Sequence, residues 1–425
     1  MEKLKDSIRS RLAAVREACR SKDAFIKAIE TKESSQGRAE QRNFWKNEDL
    51  DVTPPEQQTW RWFDYASFWL SYGLIPGTWS VGSSLVAVGL TPWQATICIF
   101  VAYALGAMGV VLHSRSAATY HFGFPVESRI PWGMRGAYFP VLLRVMCATI
   151  WMGVTLIESG YFMVVILRCI FGNGFYHMKS YIPTSSGVTT QQIIGLFIVW
   201  ILTLPLLSIP IPKIKIFFVL QTVIVPPSAL ANVIPWGADC TTLLPRFLNI
   251  KRGMHISYIL GVCICPWYIL TSASTFLEFL GGYSIFLGGF LGIFLTEYYI
   301  IRKGNIYVDQ LFEAHGRYSY QHGINWRAIV AYLIPLALLL PGFAHVFGHT
   351  VPAGFLRLYE IGWLFICMST GLLYYLLSLL GNAREERTMR FEQIYHESVV
   401  LHAVSPDNEV GSDVERSQEA VREKS

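Results

Sequence analysis

The sequence predicts an all-α protein that crosses a membrane several times, and three observations carry that expectation. Hydrophobic residues make up 52% of the 425-residue chain and charged residues only 15%, against a usual charged share of about 25%. The charges are segregated: residues 1–64 and 383–425 are rich in Lys, Arg, Glu and Asp, and most of the chain between them is apolar. Several apolar windows in that middle part reach the roughly 20 residues that a helix needs to cross the hydrocarbon core. A globular enzyme fits poorly, because its core helices would keep a polar face.

Three regions follow. Residues 1–64 form a cytoplasmic N-terminal segment, 65–382 the membrane part, and 383–425 a cytoplasmic tail expected to be disordered after residue 404. Met1 opens a long polar stretch, so no cleavable signal peptide is expected.

The first span is read near 66–88, after "PPEQQTW", a turn and interface anchor. Inside it, "GLIPGTW" places Gly73, Pro76 and Gly77 where a helix interior should be. Proline removes a backbone donor and glycine costs about 1 kcal/mol against alanine. The interruption is either a tolerated kink or a place where freed backbone groups have another task. Further spans are expected near 92–112, 142–167, 191–209, 256–277, 281–300, 328–344 and 360–381, with an ambiguous one at 216–238, which gives eight or nine. Gly281, Gly282, Gly288, Gly289 and Gly292 read as close helix packing through small residues.

Basic residues orient such chains by staying on the cytoplasmic side. Arg42, Lys46 and Arg61 precede the first span and place it starting inside. Arg115, Arg129 and Arg135 then fall inside, the outer loop 171–190 holds only Lys179, and Lys213 and Lys215 return inside. Residues 216–238 break the pattern: a single crossing there sends Lys251, Arg252, Arg302, Lys303, Arg317 and Arg327 outside. Either this stretch dips in and returns at Pro226-Pro227, or crossings are missing between the two halves of the chain.

Other chemistry is scarce. Most of the eight cysteines lie in apolar segments and no CxxC pair occurs, so small buried hydrophobes are expected and no disulfide. His345 and His349 lie four apart but have no third ligand, so no metal site is expected. No nucleophile–base grouping suggests catalysis, no cofactor is implied, and a net charge of +5 that orientation explains leaves no nucleic-acid surface.

The blocks "NEDLDVTPPEQQTWRWFDYASFW", "TWSVGSSLVAVGLTPWQA", "YHFGFPVESR", "IWMGV", "ANVIPWGADCTTLLPRFLNIKRG", "CPWYIL" and "GGYSIFLGGFLGIFLTEYYIIRKG" stand in the same order as in the fungal uracil/uridine/allantoin permeases. From about Asn47 to Leu380 the chain resembles that branch of the nucleobase:cation symporter-1 family. The resemblance implies a LeuT-like fold of two inverted five-helix repeats plus two further helices. Spans one to five correspond to residues 66 to about 230, and "ANVIPWGADCTTLLPRFLNI" to the cytoplasmic end of helix eight. Helices six, seven and most of eight are then missing at a joint near Pro227–Ala231, which makes the expected fold an incomplete one. A mis-joined gene model is the first explanation, ahead of alternative splicing or real loss.

The resemblance also implies the site. Discontinuous helices in inverted-repeat transporters expose backbone dipoles to substrate and ion at the bilayer midplane, a task that suits Gly77 and, beside it, Trp79. Trp151 matches a tryptophan whose indole stacks on the planar substrate. Thr155 stands where the branch usually carries Gln, which puts uracil or allantoin specificity in question. Asn232 matches a substrate-contacting asparagine of helix eight. Glu158, the acid well inside the third span, is expected to accept a coupling proton or to pair with Arg168; an intramembrane carboxylate marks a functional site by default. Glu297 is expected to be a structural anchor near the cytoplasmic end. Together these imply a proton-coupled symporter (a proton in preference to sodium) in the lipid bilayer, of the plasma membrane, carrying uracil, allantoin or a related purine or pyrimidine. A thiamine or nicotinamide riboside carrier, and a transport-inactive shortened isoform, are the alternatives.

Overall fold

The computed structural model describes residue 17 and residues 20–31, 45–73, 76–209, 229–270, 272–313 and 316–380. The expectations for the tail at 383–425, and for the ambiguous stretch as far as residue 228, lie outside the described residues. Within them the elements are helical, apart from one isolated antiparallel bridge between Gln321 and Ile324.

A short polar helix α1 (Lys22–Ile29) precedes the membrane part. The first span is built from two 12-residue helices, α2 (Trp62–Gly73) and α3 (Pro76–Ala87). Helix α4 (Pro92–Tyr120) starts with Pro92 after Thr91, whose hydroxyl and the Gln94 side chain cap each other's backbone. It stops at His121 in the left-handed conformation. Two four-residue helices, α5 (Phe124–Glu127) and α6 (Arg129–Trp132), lead to the 34-residue α7 (Tyr138–Phe171). Then come α8 (Thr190–Thr203), α9 (Ala229–Leu243) and α10 (Ile250–Cys263). The last group is α11 (Ala273–Leu295, continued as a π turn through Ile301), α12 (Trp326–Val346), the amphipathic α13 (Ala353–Glu360) and α14 (Gly362–Leu379).

Six of these helical runs are long and apolar enough to cross a membrane by themselves: 92–120, 138–171, 190–208, 273–301, 326–346 and 362–379. The expected crossings at 66–88 and 256–277 are made of shorter pieces. The span read at 256–277 is one of them. Its helix runs from Ile250 to Cys263; Cys265 then adopts a positive φ of 53° and Pro266–Tyr268 forms a 3-10 turn. The apolar run continues through this bend, so hydropathy does not mark where the helix stops.

Packing falls into two membrane-embedded groups. In the first, Met152, Leu156 and Ile157 of α7 meet Leu196 of α8 and Met254 and Tyr258 of α10. Helices α7 and α8 approach so closely that a Cβ on Gly195 would lie 2.4 Å from the Gly160 carbonyl oxygen. In the second, Ile285, Phe290, Ile293 and Phe294 of α11 pack on Ala331, Tyr332 and Leu339 of α12 and on Ile366 and Tyr374 of α14. The expected glycine packing is found here: Gly282 faces Phe343, Gly288 and Gly289 face Trp363, Ile366 and Tyr332, and a Cβ on Gly292 would stand 2.0 Å from the Cys367 carbonyl oxygen. Helix α4 differs, with only 11% of its most apolar window buried.

On the basic-loop side, polar segments knit the two groups together. Asn47 Nδ2 donates to the carbonyls of Pro245 (2.6 Å) and Leu248 (2.8 Å), and Asp49 accepts from the Ile250 amide at 2.8 Å. Arg129, 1% exposed, donates to the carbonyls of Leu311 and Trp45, each at 2.8 Å. Burial pulls its pKa down to about 10, which leaves it charged at neutral pH. Glu297 receives Arg302 at 2.5 Å and the Tyr374 hydroxyl at 2.8 Å, the anchoring role expected of it.

Candidate functional site

The middle of α7 carries Trp151, Thr155 and Glu158 at spacings of four and seven residues, which line one side of a helix over two turns. The start of α3 comes against that side. A Cβ built on Gly77 would stand 3.2 and 3.5 Å from the two Glu158 carboxylate oxygens and 3.6 Å from Trp151 Cζ3. A glycine at this position therefore lets backbone meet an indole edge and a carboxylate at once.

Glu158 is 5% exposed, and neither of its oxygens has a hydrogen bond of ordinary geometry among the described residues. The Gly77 amide lies within electrostatic reach of the carboxylate. Arg168 is not the partner: its Nη2 donates to Gln191 Oε1 at 2.8 Å, and its guanidinium lies over the Tyr176 ring. A carboxylate left without such a bond in low dielectric is expensive.

Trp151 is half-buried. Three rings of α11 surround its indole edge-on: Phe276 at 6.5 Å, Phe279 at 5.7 Å and Tyr283 at 6.1 Å between centroids. These residues are absent from the expected site. Their spacing of three and seven residues in "FLEFLGGY" is the signal that could have found them, since it puts all three on one helix face. Thr155, 2% exposed, donates its hydroxyl to the Trp151 carbonyl at 2.8 Å, and Ser159 in turn donates to the Thr155 carbonyl at 2.7 Å. The first bond spends the Thr155 proton on the helix itself.

The structure thus brings together Gly77, Trp151, Thr155 and Glu158. Trp79 is 70% exposed and is not among the rings around Trp151. Asn232 lies on α9, and its side chain falls outside the described residues. Nearby, α7 and α9 are tied by the Trp236 indole N–H, which donates to Thr149 Oγ1 at 2.7 Å. Arg144 Nε also stands 2.9 Å from Oδ2 of the fully buried Asp239, in contact but off the line of a hydrogen bond. No group of three or more metal-ligating side chains occurs among the described residues.

Comparison with known proteins gives the fold and the family. The fold is similar to that of Mhp1, a nucleobase-cation-symport-1 family transporter solved in a closed conformation with bromovinylhydantoin bound. The TM-score is 0.56 at 17% identity, over 83% of this chain and 99% of that one. An uncharacterised permease of Schizosaccharomyces pombe is 24% identical over 78% of this chain and 80% of its own length. That alignment is 471 residues long although this chain contributes only about 330 of them. The allantoin permease and the uracil permease of Saccharomyces cerevisiae are each 24% identical over 76% of this chain, and over 73% and 74% of their own lengths. A sequence profile of permeases for cytosine/purines, uracil, thiamine and allantoin matches residues 52–231 and 228–365. The chain belongs to that permease family, the nucleobase:cation symporters, and is a multi-pass membrane transporter with a LeuT-like fold.

Proposed function

We propose that this chain binds a small planar nitrogenous solute, such as uracil, allantoin or a related purine or pyrimidine, between the start of α3 and the middle of α7. We further propose that a proton carried by Glu158 is the coupling ion and that the plasma membrane is where it acts. The observation that carries the reading is that a Cβ placed on Gly77 would meet both the Glu158 carboxylate and the Trp151 indole within 3.6 Å. An indole offers a flat face to any heteroaromatic ring. A buried carboxylate gains from being neutralised before the cavity closes, and a co-transported proton does this without adding bulk. Alternating access would come from rocking one bundle of helices against the other. Thr155 offers a base edge no side-chain amide, which keeps a vitamin or nucleoside carrier as the competing specificity.

The test is binding by the purified protein to a panel of these solutes, read as a ligand-induced thermal shift. Trp151→Ala is expected to weaken binding by roughly tenfold or more, from the ~1–3 kcal/mol of one base–aromatic stack. Binding unchanged in that variant removes Trp151 from the site.

A second reading, a shortened chain that does not transport, is favoured by one observation. The two matched runs of the family profile meet at residues 228–231, where the charge pattern also breaks. On this reading the helices opposite α3 and α4 are missing, so the site is half-walled.

A further inference from the structure

A second buried polar cluster lies on the basic-loop side, away from Trp151. Glu127 on α5 is 5% exposed. The Ser116 hydroxyl of α4 donates to its Oε1, and His113 Nε2, one turn earlier on the same helix, lies 3.6 Å from its Oε2. Beside them is a void of about 10 Å³, room for a single water molecule. Glu127, Ser116, Glu297, Tyr298, Arg302 and Ile130 are among its walls.

The charges around the void do not cancel on their own. Arg302 is committed to Glu297, at 2.5 Å. Arg144 of α7 contacts Asp239 of α9 at 2.9 Å and lies 3.9 Å over the Phe124 ring. Arg129 of α6 gives its terminal N–H groups to main-chain carbonyls. Two carboxylates and one committed guanidinium thus leave one negative charge, which His113 and, less strongly, Arg144 offset.

We propose that Glu127, His113 and Ser116 hold one exchangeable proton at the inner end of the transporter, and that its loss sets Glu127 against Glu297 across the void. The electrostatic repulsion then loosens α5 and α4 from the end of α11, and the proton leaves to the water on the basic-loop side. Because α4 and α5 belong to the first half of the chain and the π turn of α11 to the second, the cluster makes the contact between the halves sensitive to pH on that side. Burial is the largest influence on Glu127 and pushes its pKa up, opposed by His113, Ser116 and Arg144 in that order. The sign follows: an acid raised on folding contributes its stability below the unfolded pKa, and that contribution is lost as pH rises through the folded value.

The test uses the full chain in lipid nanodiscs, with infrared difference spectra and melting temperature followed from about pH 5 to 8. The wild type is expected to show a protonated carboxyl band that disappears as pH rises, together with a falling melting temperature. Glu127→Gln removes one component of that band and lessens the slope of the melting profile, whereas Glu158→Gln removes a separate component and leaves the one from Glu127 in place. His113→Asn moves the Glu127 transition to higher pH. Glu127→Asp keeps a titrating carboxyl and serves where the glutamine variant does not fold. A titrating band of full size in Glu127→Gln, or a melting profile with the wild-type slope in that variant, overturns the proposal.

Discussion

Glu158 and Trp151 stand two helical turns apart on α7, and what each contributes can be separated by substitution. Glu158→Gln keeps the shape and removes the charge. If it carries the coupled proton, uptake by this variant should lose most of its dependence on external pH, and an unaltered pH profile sinks that role. Glu297 makes a contrasting case. It is an acid of similar burial, 3% exposed, but Arg302 and Tyr374 both reach it. Glu297→Ala strands a buried guanidinium, a loss of about 3–5 kcal/mol by the usual behaviour of such pairs. Its melting temperature should fall steeply, while Glu158→Gln should leave stability unchanged or raised. Equal stability in the two variants contradicts the assignment of one acid to anchoring and the other to transport.

At the scale of elements, contact between helices is set by glycines more than by large side chains. Adding one methyl group at Gly195 or Gly292 drives a Cβ to 2.4 or 2.0 Å from a carbonyl oxygen of the facing helix. Gly195→Ala and Gly292→Ala should each lose about 1–3 kcal/mol of stability. Gly106→Ala, on α4 with nothing within 4 Å, should be neutral or slightly stabilising in the same melting assay. Melting temperatures that do not separate these positions would show that the helices are less closely packed than the backbone distances imply. Much of this was legible in the sequence. The apolar windows, the glycine stripe of α11 and the spacing of Trp151, Thr155 and Glu158 all follow local rules of period and propensity. The bend at Cys265, the rings of α11 beside Trp151 and the acid at Glu127 were not legible. The first lies within unbroken apolar sequence, and the other two depend on which distant helix arrives opposite, which no local pattern encodes.

For the molecule as a whole, the decisive question is the middle of the chain. The profile matches in two runs that meet at 228–231, and the positive-inside pattern fails in the same place. Sequencing the transcript across codons 225 to 235 decides whether coding sequence for roughly a hundred residues, about the three helices of ~20 residues and their loops, belongs there. If the transcript matches this chain, expression in a permease-less yeast should give no uptake above background. Uptake by the chain as it stands would refute the inactive reading and place the whole site in the helices already present.

The sparse burial of α4 has a mechanical consequence. Its backbone bonds are satisfied within the helix, and lipid tails solvate its flanks as well as neighbouring side chains would. Swinging such a rod breaks few contacts, whereas tilting α7 or α11 means prying apart backbones that touch. The long, glycine-seated helices are therefore the harder to pry apart, and the thinly held α4 is the easier to displace.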